Sequence, residues 1–223
     1  MRPSRTLLVN IAALALAATA SAGGARRQST DTAPAADLGS VSGNVYTNDS
    51  LGITFEFPKG WFVDRAWIDG QNKPQDPGPR PTDPADQARY DSMVAMKKGT
   101  HALLAVSQRG GDTAADTGPR IQFSVSPVFE NKSGADILKG MKSAYGRMRL
   151  IQIEDDPADV AFGGQAFSRL DMRLLDVILH GGAGYQSAVI GVRSGQYLQF
   201  SFLASTKEQL DSLVESLASL RFK

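Results

Sequence analysis

An α+β fold, an antiparallel sheet flanked by helices, is what this sequence predicts, and three observations carry the prediction. Apolar residues alternate with polar ones in several short runs: Ile53, Phe55 and Phe57; Leu170, Met172 and Leu174; Leu198, Phe200 and Phe202. A period of two places each set on one face of a strand. Turn signals such as Ser194-Gly195 join most neighbouring runs directly, which favours antiparallel pairing. Elsewhere the period lengthens to that of an amphipathic helix behind a capping residue. The reading amounts to about seven or eight strands and three helices, with no internal repeat.

The chain has 223 residues, 42% hydrophobic and 21% charged, which suits a single domain with short tails. Its formal charge of +1 gives no general pull toward nucleic acid or acidic membranes. It has no cysteine, which excludes disulfides, thiolate nucleophiles, thiolate metal sites and lipidation at a cysteine.

Residues 1–22 read as a secretory signal peptide. Arg2 and Arg5 precede an apolar run over 7–18, broken at Asn10, and Ala20-Ser21-Ala22 fits the small-x-small cleavage pattern. The run is short for a membrane span, which takes about 20 residues. No Arg-Arg pair stands ahead of it, so the general secretory route is expected. Cleavage removes Arg2 and Arg5 and no acid, taking the formal charge from +1 to −1. The expected location is secreted or periplasmic. Residues 23–43, rich in Ala, Gly, Ser, Thr and Asp, read as a flexible linker, and 44–223 as one domain.

Within that domain, Asn48-Asp49-Ser50 and Pro58-Lys59-Gly60 bracket the strand carrying Phe55, and Trp61 and Val63 begin a return strand. Residues 69–84 (DGQNKPQDPGPRPTDP) read as a long Pro-rich surface loop. Asp83 and Pro84 open a helix that Lys97, Lys98 and Gly99 close. Strands follow at 101–108 and 120–128, separated by a polar loop over 109–119. Ser133 and Asp136 open a helix striped by Ile137, Met141, Ala144 and Met148 and widened by Leu138 and Tyr145. A short strand at 150–153 and the acidic turn 154–159 precede the run ending at Leu174. Ala188, Ile190 and Val192 form the next strand, and Leu198, Phe200 and Phe202 its hairpin partner. Ser205 and Glu208 then make a capping-box pattern ahead of Leu210, Leu213, Val214 and Leu217. An aspartate at Leu213 would bury an unpaired charge and break that packing.

Residues 46–61 (YTNDSLGITFEFPKGW), Gly164 before the strand at 167–174, and the ending FSFLASTKEQLDSLVESLASLRF at 200–222 resemble the PsbP-like domains. That group includes the extrinsic PsbP protein of the photosynthetic oxygen-evolving complex and the Ran-binding Mog proteins. The resemblance covers most of 45–222 and implies an α/β/α sandwich around an antiparallel sheet. It further implies a binding or assembly role rather than catalysis. The Pro-rich loop at 69–84 departs from the family pattern. No family binding residue carries over, because the shared positions are structural ones.

Candidate chemistry is sparse. His180-Gly181-Gly182 is like an esterase oxyanion loop, but no G-x-S-x-G pentapeptide accompanies it. Gly182-Ala183-Gly184 begins like a dinucleotide fingerprint, yet Ser187 replaces the last glycine and a strand follows instead of a helix. His101 and His180, the two histidines, form no spaced ligand pair. Glu154, Asp155, Asp156 and Asp159 lack the spacing of a calcium loop, as do Asp112 and Asp116, and read as solvated turns. Lys139, Lys142, Arg147 and Arg149, with Tyr145, form a mildly basic helix end read as a solvated face. Trp61 and Trp67 read as core or rim.

No catalytic residue, metal ligand or cofactor is therefore assigned. The reading is an exported, non-enzymatic binding or accessory module. It takes a protein or small ligand through surface loops, with 69–84 and 109–119 the broad candidates, and neither binds nucleic acid nor stays inserted in a membrane after signal cleavage. The alternative is an exported hydrolase with an unrecognised carboxylate-based site.

Overall fold

Where apolar side chains occupy every second position, the strands bury one face. Where they occupy nearly all, the strands bury both. This difference sorts the sheets in a computed structural model of the chain, which describes residues 37–74, 78–108, 118–129, 131–153, 155–175 and 184–223. The expected signal peptide, most of the linker, Asp112, Asp116, Glu154 and His180 lie outside the described residues.

A small antiparallel sheet has the order β1 (Ser40–Ser42), β2 (Val45–Asn48), β3 (Ile53–Glu56), β12 (Arg221–Phe222). Its first and last strands bring the two ends of the domain together. The sheet begins ahead of the boundary expected at residue 44, because Asp37 anchors the entry. The Asp37 carboxylate accepts from the backbone N–H of Gly39 (2.9 Å) and of Ser50 (3.4 Å), and the Asp37 carbonyl accepts from Asn48 Nδ2 at 2.7 Å.

The large sheet is built from β4 (Phe62–Val63), β5 (His101–Ser107), β6 (Arg120–Pro127), β11 (Gln196–Ala204), β10 (Gly184–Arg193), β9 (Gln165–Leu174) and β7 (Ile151–Gln152), in that spatial order. The strand β8 (Ala158–Phe162) also pairs with β9, so β7 and β8 share its outer edge. Every pairing is antiparallel. The β10–β11 hairpin turns through Ser194 and Gly195, with φ of 50° and 74°, the left-handed pair that a two-residue turn requires.

Four helices are described. The segment α1 (Arg65–Asn72) is capped by Asp64, whose carboxylate accepts from Trp67 N at 2.8 Å. It takes in the first four residues of the segment read as a Pro-rich loop. Next comes α2 (Pro84–Gly99), with Lys97 and Lys98 in its last turn. The third, α3 (Gly134–Tyr145), starts at Ser133 as expected, and the structure adds that Ser133 and Asp136 form a full capping box. It ends at Tyr145, so Met148 falls outside the stripe and is exposed. The last, α4 (Lys207–Glu215), is capped by Thr206, not Ser205. Thr206 Oγ1 accepts from Gln209 N at 3.2 Å, while Ser205 donates its backbone N–H to Gln209 Oε1.

The helices lie on both sides of the large sheet. On one face, α4 and the small sheet enclose the main core. Phe123 and Phe200 stack there with centroids 4.3 Å apart, and Phe55 meets Phe200 edge-on. Leu210, Leu213, Val214 and Leu217 complete it. On the other face, α3 seats Ile137, Leu138, Met141 and Tyr145 against Leu170, Met172, Leu174, Ala188 and Ile190. Gly134 lets α3 close on β10: a Cβ there would stand 2.4 Å from the Ile190 carbonyl oxygen. At the far side of the same face, Ile68 of α1 packs on Ala102 and Ala105. Ala188 and Ile190 thus belong to this second core, not the one holding Phe200, and Val192 is exposed.

The outer edge of β5 is closed by side-chain and loop groups. β4 pairs only with Val106 and Ser107. Asp64 N then donates to the Ala105 carbonyl at 2.8 Å. The Asn72 carboxamide donates to the Ala102 carbonyl and accepts from the Ala102 N–H, both at 2.8 Å, standing in for a strand residue.

Candidate functional site: a neutral polar row on the large sheet

On the face shared by α1 and α3, the two apolar patches do not meet. The register places the intervening side chains. Ser124 lies opposite Ala102 on β5 and opposite Gln199 on β11; Gln122 lies opposite Ala105 and Ser201; Ser126 lies opposite Tyr197. On β10, Gln186 lies opposite Leu203, and Ala188 opposite Ser201. Directly opposed residues point to the same face. Gln122, Ser124, Ser126, Gln186, Gln199 and Ser201 therefore form one row across the three central strands, between α1 packed on β5 and α3 packed on β9 and β10, with α2 set against β6.

The row is organised by its own hydrogen bonds. Gln199 Nε2 donates to Ser126 Oγ at 2.6 Å, and Gln186 Nε2 donates to Ser201 Oγ at 3.0 Å. Ser126 and Gln186 are buried, whereas Gln122, Ser124, Gln199 and Ser201 stay partly accessible. Arg120, opposite Ser107 and Leu203, closes one end. At the other, Tyr197 is covered by Phe129 and donates its hydroxyl to the Lys132 carbonyl at 2.9 Å. Amide and hydroxyl groups of this kind donate and accept hydrogen bonds without titrating in the ordinary pH range. They offer donors and acceptors together, with no fixed charge.

The ionisable groups gather elsewhere. Arg169 on β9 forks Asp171 through Nε and Nη2, both at 2.8 Å, and also donates to Asp211 on α4. Lys207 bonds Asp211 one helical turn on and lies 3.4 Å from Asp171. Burial works to raise the Asp211 pKa, but the bonds from Lys207 and Arg169 prevail and hold the carboxyl below its usual range. Asp171 and Asp211 thus share the same two cations, Arg169 and Lys207. Among the described residues, no three His, Cys, Asp or Glu side chains gather as a metal site would require.

The other residues singled out from sequence lie apart from the row. His101 opens β5 opposite Val125, toward the main core. Asp156 pairs with Lys142 at 2.9 Å, and the Asp155 carbonyl accepts from the same ammonium at 3.1 Å. The hydrogen bond from Lys142 holds the Asp156 carboxyl low, and its charge adds to the effect. Asp159 accepts from Ser168 Oγ at 3.2 Å. Trp61 packs at the rim of the main core and Trp67 at the α1 cluster, both partly buried. The row itself is absent from the sequence expectations. Its signal was present all the same, in the polar half of two alternations: Gln122, Ser124 and Ser126 between Ile121, Phe123 and Val125, and Gln199 and Ser201 between Leu198, Phe200 and Phe202.

Fold and site together define an α+β domain whose large antiparallel sheet presents a neutral polar face between two helices. No known protein family and no curated protein matches the chain. Among solved structures it is similar to cyanobacterial PsbP (CyanoP) from Synechocystis, at 14% identity over 83% of this chain and 99% of that one, with a TM-score of 0.45. It is also similar to LpqN of Mycobacterium tuberculosis, described as involved in cell envelope biogenesis, at 13% identity over 77% and 83%, with a TM-score of 0.44. A Pseudomonas aeruginosa protein of unknown function shows 15% identity over 51% and 71%, with a TM-score of 0.31. The PsbP-like resemblance of the two ends of the chain is thus met again in CyanoP.

Proposed function

We propose that this protein is an exported, non-catalytic accessory module that holds a neutral polar ligand on the row formed by Gln122, Ser124, Ser126, Gln186, Gln199 and Ser201. One observation carries the reading. The middle of a sheet face flanked by helices is ordinarily apolar, and here it is amide and hydroxyl, with four of its six side chains partly accessible. The sequence favoured loops 69–84 and 109–119 as the binding surface. The proposal moves it to the sheet, where rigid strands hold the groups in register. Hydroxyl-rich glycans and extended uncharged peptides have the matching chemistry.

Titration of isotope-labelled protein with a neutral oligosaccharide and with an uncharged peptide tests this by amide and side-chain NMR. Shifts centred on Ser124, Gln199 and Ser201 with either probe support it. No shift with both probes, or shifts confined to residues 78–83, overturn it. The export half of the proposal rests on residues 1–22. Protein recovered from an exporting host is expected to begin near Gly23, and a mature chain that retains Met1 refutes it.

A further inference from the structure

We propose that the connection at residues 147–150 docks the protein on an anionic lipid surface. Its sequence is Arg-Met-Arg-Leu. The backbone holds it as two successive turns: Met148 N donates to the Tyr145 carbonyl at 2.8 Å, and Ile151 N to the Met148 carbonyl at 3.2 Å. Leu175 N donates to the Leu150 carbonyl at 2.8 Å, which pins the connection beside the end of β9, two positions beyond Arg173.

Four large hydrophobic residues stand exposed among the described ones, and two of them are here: Met148 at 42% and Leu150 at 36%. Arg147, Arg149 and Arg173 are exposed beside them. The neighbouring elements contribute Lys139 and Lys142 from α3 and Asp155 and Asp156 from the turn after β7. Lys142 already occupies Asp156, so the surface stays basic on balance. Exposed apolar side chains alternating with arginines suit the water–lipid boundary. The apolar groups enter the acyl margin, and the guanidinium groups stay with the phosphates. An acidic protein partner would use the charges. A stable protein interface, however, buries about 800 Å² per partner, more than one short connection presents. No described helix is long and apolar enough to cross a membrane, so this contact is peripheral. It rests on different residues from the polar row and stands or falls separately.

The test is co-sedimentation with vesicles of phosphatidylcholine alone and of phosphatidylcholine with one third phosphatidylglycerol. It uses protein recovered from an exporting host, wild type and variants sharing one N-terminus. Wild type is expected to partition onto the anionic vesicles and to leave them in concentrated salt, where the screening length drops from about 8 Å to about 3 Å. R147E/R149E is expected to lose roughly tenfold or more of that binding, since each basic residue near an anionic surface contributes measurably. M148S/L150S is expected to lose several-fold, with circular dichroism and thermal midpoint unchanged, because both side chains are already exposed. Equal partition onto both vesicle types overturns the proposal. So does full retention by R147E/R149E, or binding to polyglutamate resin by a protein that ignores vesicles.

Discussion

Gln199 donates its side-chain amide to the hydroxyl of Ser126 at 2.6 Å, tying β11 to β6 above the backbone ladder. Ser126 is 1% exposed, so no water replaces a lost hydroxyl readily. Ser126→Ala should cost about 1 kcal/mol in urea denaturation, the usual net value of such a bond. It should also free the Gln199 side chain, seen as a move of its amide proton shifts toward those of an unbonded glutamine. An unchanged midpoint with unchanged amide shifts would refute this account of the row.

Ser187 presents the opposite case. It is fully buried between Asp171 and Phe202 on the main-core side, and its Oγ has no hydrogen-bond partner. A buried hydroxyl without a partner is a standing penalty. Ser187→Ala should therefore stabilise the fold by about 1 kcal/mol or leave it unchanged. A clear loss of stability would show that the hydroxyl is satisfied in solution.

At Gly134, an added methyl group would stand 2.4 Å from the Ile190 carbonyl oxygen. Alanine is the better helix former, yet here α3 must lift off β10 to admit it. Gly134→Ala should destabilise by about 1–3 kcal/mol, the range for overpacking, and broaden the resonances of Ile137 and Met141. Gly140 has open space around it, so Gly140→Ala is the control and should stabilise by roughly 0.5–1 kcal/mol.

The Arg169, Asp171, Lys207 and Asp211 cluster ties β9 to α4 and sets an acid limit. The Asp211 carboxyl is held below its unfolded value. A depressed pKa contributes stability that is complete above the unfolded value and is lost as pH falls through the folded one. Urea midpoints should be level from neutral pH to about 5 and fall below about 4. Asp211→Asn should make that acid limb shallower, with Asp37, Asp136, Asp156 and Glu208, also held low, carrying the remainder. An acid limb as steep as wild type would show that Asp211 carries none of it.

Local signals reached the sequence plainly, and long-range ones did not. The cap at Ser133, with Asp136 three positions on in the first turn, is found as expected. The alternations around Phe55, Leu170 and Phe200 named the strands and their buried sides. Alternation cannot say which of two cores a side chain enters, because both cores are apolar. That is why Ile190 and Phe200, alike in the sequence, lie on opposite faces. β4, β7 and β12 are two residues long, below any periodic signal. Met148 continued the helical period of α3, but the backbone turns away at Gly146, and tertiary pairing with β9 decides where it ends. The polar row joins residues from 122 to 201 and becomes visible only once β6 is known to lie beside β11.

Asn72 reaches the backbone of Ala102 with both ends of its carboxamide, and the consequence concerns other copies of this chain. A sheet edge with free N–H and C=O groups is a template on which a second molecule can grow a strand. β4 guards only the last two positions of β5. The Asn72 side chain occupies the next vacant rungs with four heavy atoms instead of a polypeptide. The large sheet thus ends in a plug that cannot itself be extended. Its loss, as in Asn72→Ala, would open that edge to a second copy of the chain, visible as concentration-dependent association in light scattering.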